Sequence, residues 1–243
     1  MKLTFVGTSH GVPEANRKCA CLLITVGENH YIVDAGFPLV TALRPLHIYP
    51  HALKGVFLTH MHGDHANGLI ELVDLLTWQF KDAHPAIYVP EIAAGEAIRG
   101  WLAVTHGGKG LENMPEIKEV TEGAFYDDGI LRMTAISNDH LPDRPSYSYL
   151  AEAEGKRVVF SGDLGFDAYA DFPRAAFEAE NDIVVTEAAH NRLTDAKDIF
   201  ARVRTKRLIV SHVVPWNEPE VARLRPLVPY PVTLAFDGMA ITI

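Results

Sequence analysis

Short apolar runs alternate along this chain with stretches in which apolar residues return every three or four positions. Runs of three to seven residues rich in Val, Ile, Leu and aromatics, bounded by glycine, proline or charge, predict strands; the three-and-four spacing predicts helix. Strands are expected at 3–6, 22–26, 31–33, 56–58, 86–89, 117–120, 131–137, 146–150, 157–160, 183–185, 208–210, 232–235 and 239–243. The pair flanking Gly27-Glu28-Asn29-His30 reads as a hairpin. Helices are expected where Leu69-Ile70, Leu72-Val73 and Leu75-Leu76 recur, over 91–104 just after Pro90, and near 194–203. Pro38, Pro45 and Pro50 work against one regular helix over 38–54, so His47 and His51 are taken as loop or helix-end residues and not as ligands. Strand counting alone yields a mixed α/β class. No linker or low-complexity tract divides the chain, which predicts one domain over 1–243.

Between the strand at 56–58 and the helix that follows lies Thr59-His60-Met61-His62-Gly63-Asp64-His65. In extended chain, residues two apart point the same way. His60 and His62 therefore face one point, and Asp64 with His65, one turn on, a second. Solvation and packing do not account for three imidazoles and a carboxylate within six residues. Zinc or another divalent first-row metal does. Asp34 closes a strand; it either begins a turn or accepts a hydrogen bond from a metal-bound imidazole. Cys19 and Cys21 read as two reduced thiols, too few for a zinc site of their own. Gly107-Gly108-Lys109-Gly110 lacks the length and hydroxyl of a phosphate-binding loop, although Lys109 is in principle able to reach an anion.

The pattern HxHxDH after a strand resembles the signature of the metallo-β-lactamase superfamily. That resemblance implies an α/β fold, a four-layer αββα sandwich with metals at one edge of its two sheets. It also implies further ligands at downstream strand ends, and the chain has them in order: His140, Asp163 and His212. His60, His62 and His140 would hold one divalent ion, Asp64, His65 and His212 the other, and Asp163 would bridge. Zinc suits these donors; manganese and iron(II) also fit.

Composition narrows the picture by exclusion. The chain has 243 residues, 48% of them hydrophobic and 22% charged, with a net charge of −9. That balance argues against broad electrostatic capture of nucleic acid. No run approaches the roughly 20 apolar residues of a membrane span. The start, Met1-Lys2-Leu3-Thr4-Phe5-Val6-Gly7, lacks signal-peptide features, so a cytoplasmic location is expected.

Within the superfamily, Gly7-Thr8-Ser9-His10-Gly11-Val12-Pro13 with Arg17, Ser146-Tyr147 after His140, Ser161-Gly162-Asp163 and Asp237-Gly238 are most similar to ribonuclease Z and its relatives. Glu187 falls where those nucleases carry the Glu of a His-Glu-Ala-Thr motif. The departures are informative. Transfer-RNA-processing members carry a long arm between the third ligand and the bridging Asp, whereas only 22 residues separate His140 from Asp163 here. Their proton-donating His has no counterpart in Asn191-Arg192-Leu193-Thr194, and His190 is the nearby substitute. A related cyclic phosphodiesterase uses a Cys cluster for an extra zinc, of which Cys19 and Cys21 are only part. The expected substrate is therefore a small, cyclic or short nucleotide phosphodiester and not tRNA.

The expected chemistry is attack by a hydroxide shared between the metals. Asp64 would bind its metal and orient the nucleophile. His190 or His10 would protonate the leaving oxygen, with Glu187 beside it, and the start of the helix after His65 offers free N–H groups to an anion. Lactonases and thioester hydrolases of the superfamily run on the same centre and are the main alternative. A secreted β-lactamase, a flavin-linked di-iron oxidoreductase (Glu where His62 stands) and a non-catalytic binding module fit less well. A homodimer is expected from the resemblance alone.

Overall fold

A computed structural model describes residues 1–243. The first sheet is built from β1 (Lys2–Gly7), β2 (Cys21–Val26), β3 (Asn29–Val33), β4 (Leu53–Phe57), β5 (Ala86–Val89) and β6 (Ile117–Glu119). The second comprises β7 (Gly123–Asp127), β8 (Arg132–Ser137), β9 (Tyr147–Ala153), β10 (Lys156–Phe160), β11 (Ile183–Ala188), β12 (Leu208–Val213) and β13 (Val232–Leu234). The last strand, β14 (Ala240–Thr242), crosses back to the first sheet and pairs antiparallel with β1. The resulting orders are β14-β1-β2-β3-β4-β5-β6 and β13-β12-β11-β10-β9-β8-β7.

Period-2 alternation explains the layering, because each strand sends neighbouring side chains to opposite faces. On β2, Leu22, Ile24 and Val26 face the second sheet, while Cys21 and Leu23 face helices. On β10, Val158 and Phe160 face inward and Val159 outward; β11 repeats this with Ile183 and Val185 against Val184. Three apolar cores result. One fills the space between the sheets. A second is closed by α1 (Leu39–Leu43), α2 (Gly63–Trp78) and α3 (Ala93–Thr105), a third by α4 (Ala175–Glu178), α5 (Lys197–Phe200) and α6 (Glu218–Leu224). This is the four-layer αββα sandwich.

β3 to β6 run parallel, as do β10 to β13. In open α/β sheets ligands bind beyond the carboxyl ends of such strands. Here the ends of β3, β4, β10, β11 and β12 carry Asp34, His60, Asp163, Glu187 and His212. No helix is long and apolar enough to cross a membrane.

Several local expectations change. The helix of the metal-ligand cluster starts at Gly63, so Asp64 and His65 lie in its first turn and not before it. Its early N–H groups at His65 and Ala66 are already bonded to the His62 carbonyl, which takes them away from an incoming anion. Over 38–54 the expectation of no one regular helix holds: α1 packs Leu39, Ala42 and Leu43 into the second core, and short 3-10 turns at Arg44–Leu46 and Pro50–Ala52 follow it. The predicted helix near 194–203 divides into a 3-10 turn at Leu193–Ala196 and the short α5. β7, α4 and α6 were not expected. β2 begins one residue earlier than expected, at Cys21, and both cysteines are free and buried, as the sequence suggested.

Candidate metal centre

The centre begins with Asp34, whose backbone is left-handed at φ 60°. That turn aims its carboxylate across to the end of β4. Oδ1 accepts the Thr59 N–H at 2.8 Å and the Thr59 hydroxyl at 2.9 Å. Oδ2 accepts from His65 Nδ1 at 2.9 Å. Asp34 thus holds the loop and also fixes the His65 tautomer, leaving Nε2 free to face the cluster. Of the two sequence readings of Asp34, the hydrogen-bonded one is what the fold builds.

From the second sheet, Asn138 ties two strand ends together. Its Nδ2 donates to the carbonyls of Asp163 at 3.0 Å and Ser161 at 3.3 Å, and its Oδ1 accepts from the Ser146 hydroxyl at 2.6 Å. Gly162 adopts φ +60°, and a Cβ there would lie 2.7 Å from the Tyr147 carbonyl oxygen, so only glycine fits before Asp163. His212 is itself left-handed at φ 51°, an uncommon state for such a residue.

The structure brings all seven expected donors together. His60, His62, His140 and Asp163 offer ligand atoms within 4.8 Å of one another, and so do Asp64, His65 and His212. Asp163 lies between the groups. Its Oδ2 is 3.2 Å from His212 Nε2, 3.7 Å from His60 Nε2 and 3.8 Å from His140 Nε2, and its Oδ1 is 3.4 Å from His65 Nε2. His60 Nε2, His65 Nε2 and Asp163 Oδ1 are buried with no hydrogen-bond partner. Each such orphan costs about 1–3 kcal/mol. Two divalent cations would satisfy all of them, so the donor set fits metal.

Electrostatics agree with ligation. Burial, reinforced by neighbouring imidazoles, holds His60 well below the usual imidazole range; burial likewise brings His140 to about 4, against the pull of Asp163. Neutral imidazoles present lone pairs. His65 runs the other way: burial opposes its charge, but Asp163 and Asp34 outweigh burial and raise it.

His190 adjoins this cluster. Its ring centroid is 4.7 Å from that of His140, Nε2 is 3.9 Å from Asp163 Oδ2, and Nδ1 is 3.3 Å from Glu187 Oε1. The other Glu187 oxygen accepts the N–H groups of Ala189 at 2.5 Å and His190 at 3.0 Å. Burial lowers the His190 affinity for a proton, yet the Glu187 hydrogen bond and the Asp163 charge raise it overall. His10 is turned into its own loop: Nδ1 accepts the Val12 N–H at 3.3 Å and Nε2 faces Glu14 at 3.4 Å. His47 and His51 lie elsewhere, His51 pairing with Asp82. Sequence reasoning missed Asn138 and Thr59, whose only signal is a polar side chain at a strand end beside a ligand.

The fold has close counterparts among solved structures. The metallo-β-lactamase fold protein YhfI from Bacillus subtilis superposes with a TM-score of 0.79 at 18% identity, covering 99% of this chain and 98% of that one. The short form of human tRNase Z gives 0.73 at 20% identity, covering 100% and 99%. Among curated sequences, a ribonuclease Z of Mycobacterium sp. (strain KMS) is 27% identical over 175 residues, 67% of this chain but only 61% of the relative's length. The protein has the fold of metallo-β-lactamase hydrolases and is related to ribonuclease Z. The family model described as anti-Pycsar protein Apyc1 matches residues 1–212, a span that takes in every candidate ligand, and the chain belongs to that family.

Proposed function

We propose that the protein is a dinuclear metal-dependent phosphodiesterase acting on a small or cyclic phosphodiester or a short RNA. The supporting observation is the pair of donor groups meeting at Asp163. His60, His62 and His140 would hold one ion, Asp64, His65 and His212 the other, with Asp163 shared; zinc is the proposed metal. Two such ions, when bound, acidify water and polarise phosphoryl oxygens. The chain's own contribution is positional. Asp34 fixes His65, and Asn138 fixes the strand ends of His140 and Asp163. His190, steadied by Glu187 and only partly exposed, carries a proton beside the cluster and delivers it to the leaving oxygen. Against tRNA stands the segment from His140 to Asp163. After a short loop, β9 and β10 and the tight turn at Glu154-Gly155 account for its length and leave no room for an arm.

The test is a paired assay. Protein loaded with zinc or manganese is given an aryl phosphodiester and, separately, lactones and thioesters. Turnover of the phosphodiester is expected, with Asp163→Ala losing metal and nearly all activity. His190→Ala should keep its metal and slow turnover of esters with poor leaving groups by about 10²–10⁴. Turnover of carbonyl substrates alone would sink the phosphodiester assignment, and full activity in Asp163→Ala would sink the dinuclear centre.

A further inference from the structure

An imidazole that binds metal through one nitrogen needs a partner for the other. Three of the candidate ligands have theirs on Nδ1. Thr59 Oγ1 lies 3.1 Å from His60 Nδ1, Asp34 Oδ2 lies 2.9 Å from His65 Nδ1, and the Leu164 carbonyl lies 3.3 Å from His140 Nδ1. His62 turns its Nδ1 toward the cluster, 3.1 Å from His140 Nε2, and is only half-buried. His212 differs from all of these. Its Nε2 faces the cluster, 3.2 Å from Asp163 Oδ2, whereas Nδ1 is buried with no hydrogen-bond partner in the protein. Ligation through Nε2 puts the proton on Nδ1, and that N–H is then a donor to which the fold offers no acceptor.

His212 lines a cavity that begins beside Asp163 and His65 and ends against Leu22, Phe160 and Val185, in the space between the sheets. His62, His140 and His190 are not in its walls, so it is separate from the side of the cluster where His190 stands. About 60 Å³ of it is open to the centres of water molecules, against the roughly 10–15 Å³ that one water needs.

Three polar groups in the walls are already committed. Both Asp34 oxygens serve Thr59 and His65, one Glu187 oxygen accepts the Ala189 and His190 N–H groups while the other faces His190 Nδ1, and the Ser161 hydroxyl donates to the Gly162 carbonyl at 2.6 Å. Thr186 is not committed. It lines the same cavity, is 2% exposed, and its hydroxyl has no partner. His212 is 7% exposed. Two buried, unpartnered polar atoms in the walls of one cavity with room for water carry the full desolvation cost if they stay dry. Buried water is the ligand that relieves both.

We propose that this cavity is a built hydration site, in which buried water accepts from His212 Nδ1–H and donates to the Thr186 hydroxyl. Water then does for His212 what Asp34 does for His65, and Thr186 becomes a positioning residue for a metal ligand it does not touch. This rests on the reading of His212 as a ligand.

The first test is a crystal structure of the zinc-loaded protein, with a second crystal held under xenon. Water within hydrogen-bonding distance of both His212 Nδ1 and Thr186 Oγ1 is expected. Xenon in the cavity, which marks an apolar, dry space, or a protein group capping His212 Nδ1 overturns the site. The second test is Thr186→Val, which keeps the shape and removes the hydroxyl. Zinc affinity, read by competition with a chelator, should fall about tenfold and return in Thr186→Ser. The melting temperature of the metal-free variant should fall as well, because a hydrated hydroxyl is a bonded one. A dry, unpartnered hydroxyl predicts the opposite, a higher melting temperature in Thr186→Val. Unchanged affinity, or a raised melting temperature, overturns the role of Thr186. If the protein takes up no zinc, the dinuclear reading fails separately, and the hydration site is judged on metal-free crystals, where bridging water supports it and xenon overturns it.

Discussion

Asp34 shows how much of the centre depends on one side chain that touches no metal. Oδ1 accepts from the Thr59 N–H and hydroxyl, while Oδ2 accepts from His65 and lies 3.0 Å from the same hydroxyl, so both acceptor oxygens are used. Asparagine tolerates the left-handed backbone at this position but has one acceptor and one donor. Asp34→Asn should therefore fold and yet misalign either the Thr59 loop or the His65 tautomer. Metal affinity is expected to fall about 10–100-fold, measured by competition with a chromophoric chelator; an unchanged affinity would remove Asp34 from the support of the centre. At this scale the sequence was most legible where donors are contiguous. Four ligands between His60 and His65 announce themselves by spacing alone, whereas His140, Asp163 and His212 needed a family resemblance to stand out from other strand-end polar residues. The two roles open to Asp34, and the inward turn of His10, depend on backbone torsions that spacing does not encode.

Among the elements, α6 illustrates a connection made by charge. Glu220 on α6 is buried and receives the Thr194 hydroxyl, Arg223 and, at 3.2 Å, Arg192. Burial pushes its carboxyl up, but these hydrogen bonds outweigh burial and bring it down to about 2 from an ordinary 4.5. The stabilisation is therefore complete above about pH 4.5 and lost as pH falls through 2. Glu220→Gln should cost about 2 kcal/mol at neutral pH. In urea denaturation the gap between variant and wild type should narrow as pH drops from 5 toward 2; a constant gap would mean that ionised Glu220 is not what joins α6 to the 3-10 turn at Leu193–Ala196. Elements of this size were the ones hidden from sequence. α1, α4 and α6 span five, four and seven residues, too short for a helical period to repeat, and β7 is a half-exposed edge strand. Longer α2 and the buried strands were plain because burial on one or both faces leaves a period to count.

At the scale of the whole molecule, the candidate ligands come from both sheets: His60, His62, Asp64 and His65 follow β4 of the first, while His140 and Asp163 follow strands of the second and His212 lies near the end of its β12. Bound metal would therefore staple one sheet to the other. Free metal at 1,000 times its dissociation constant adds about 4 kcal/mol to folding. Removing it should lower the melting temperature by roughly 10 °C for a chain this long. An unmoved melting curve, with metal loss verified by elemental analysis, would show that the centre holds no such linkage. The four-layer stack was legible once the family resemblance was seen, but strand order was not, since nothing in a run of valines states its neighbour. The crossing of β14 to β1 is the clearest case, and it bears on how the protein is made. The final strand supplies the edge partner of the first, and Asp237, just before it, accepts the N–H groups of Thr8 and Lys18 at both ends of the loop that carries His10. A nascent chain emerging from the ribosome holds His60 to His65 long before His212 and Asp237 exist. The pocket can be completed, and filled, only after His212 and Asp237 have been added, well over a hundred residues after the first ligands.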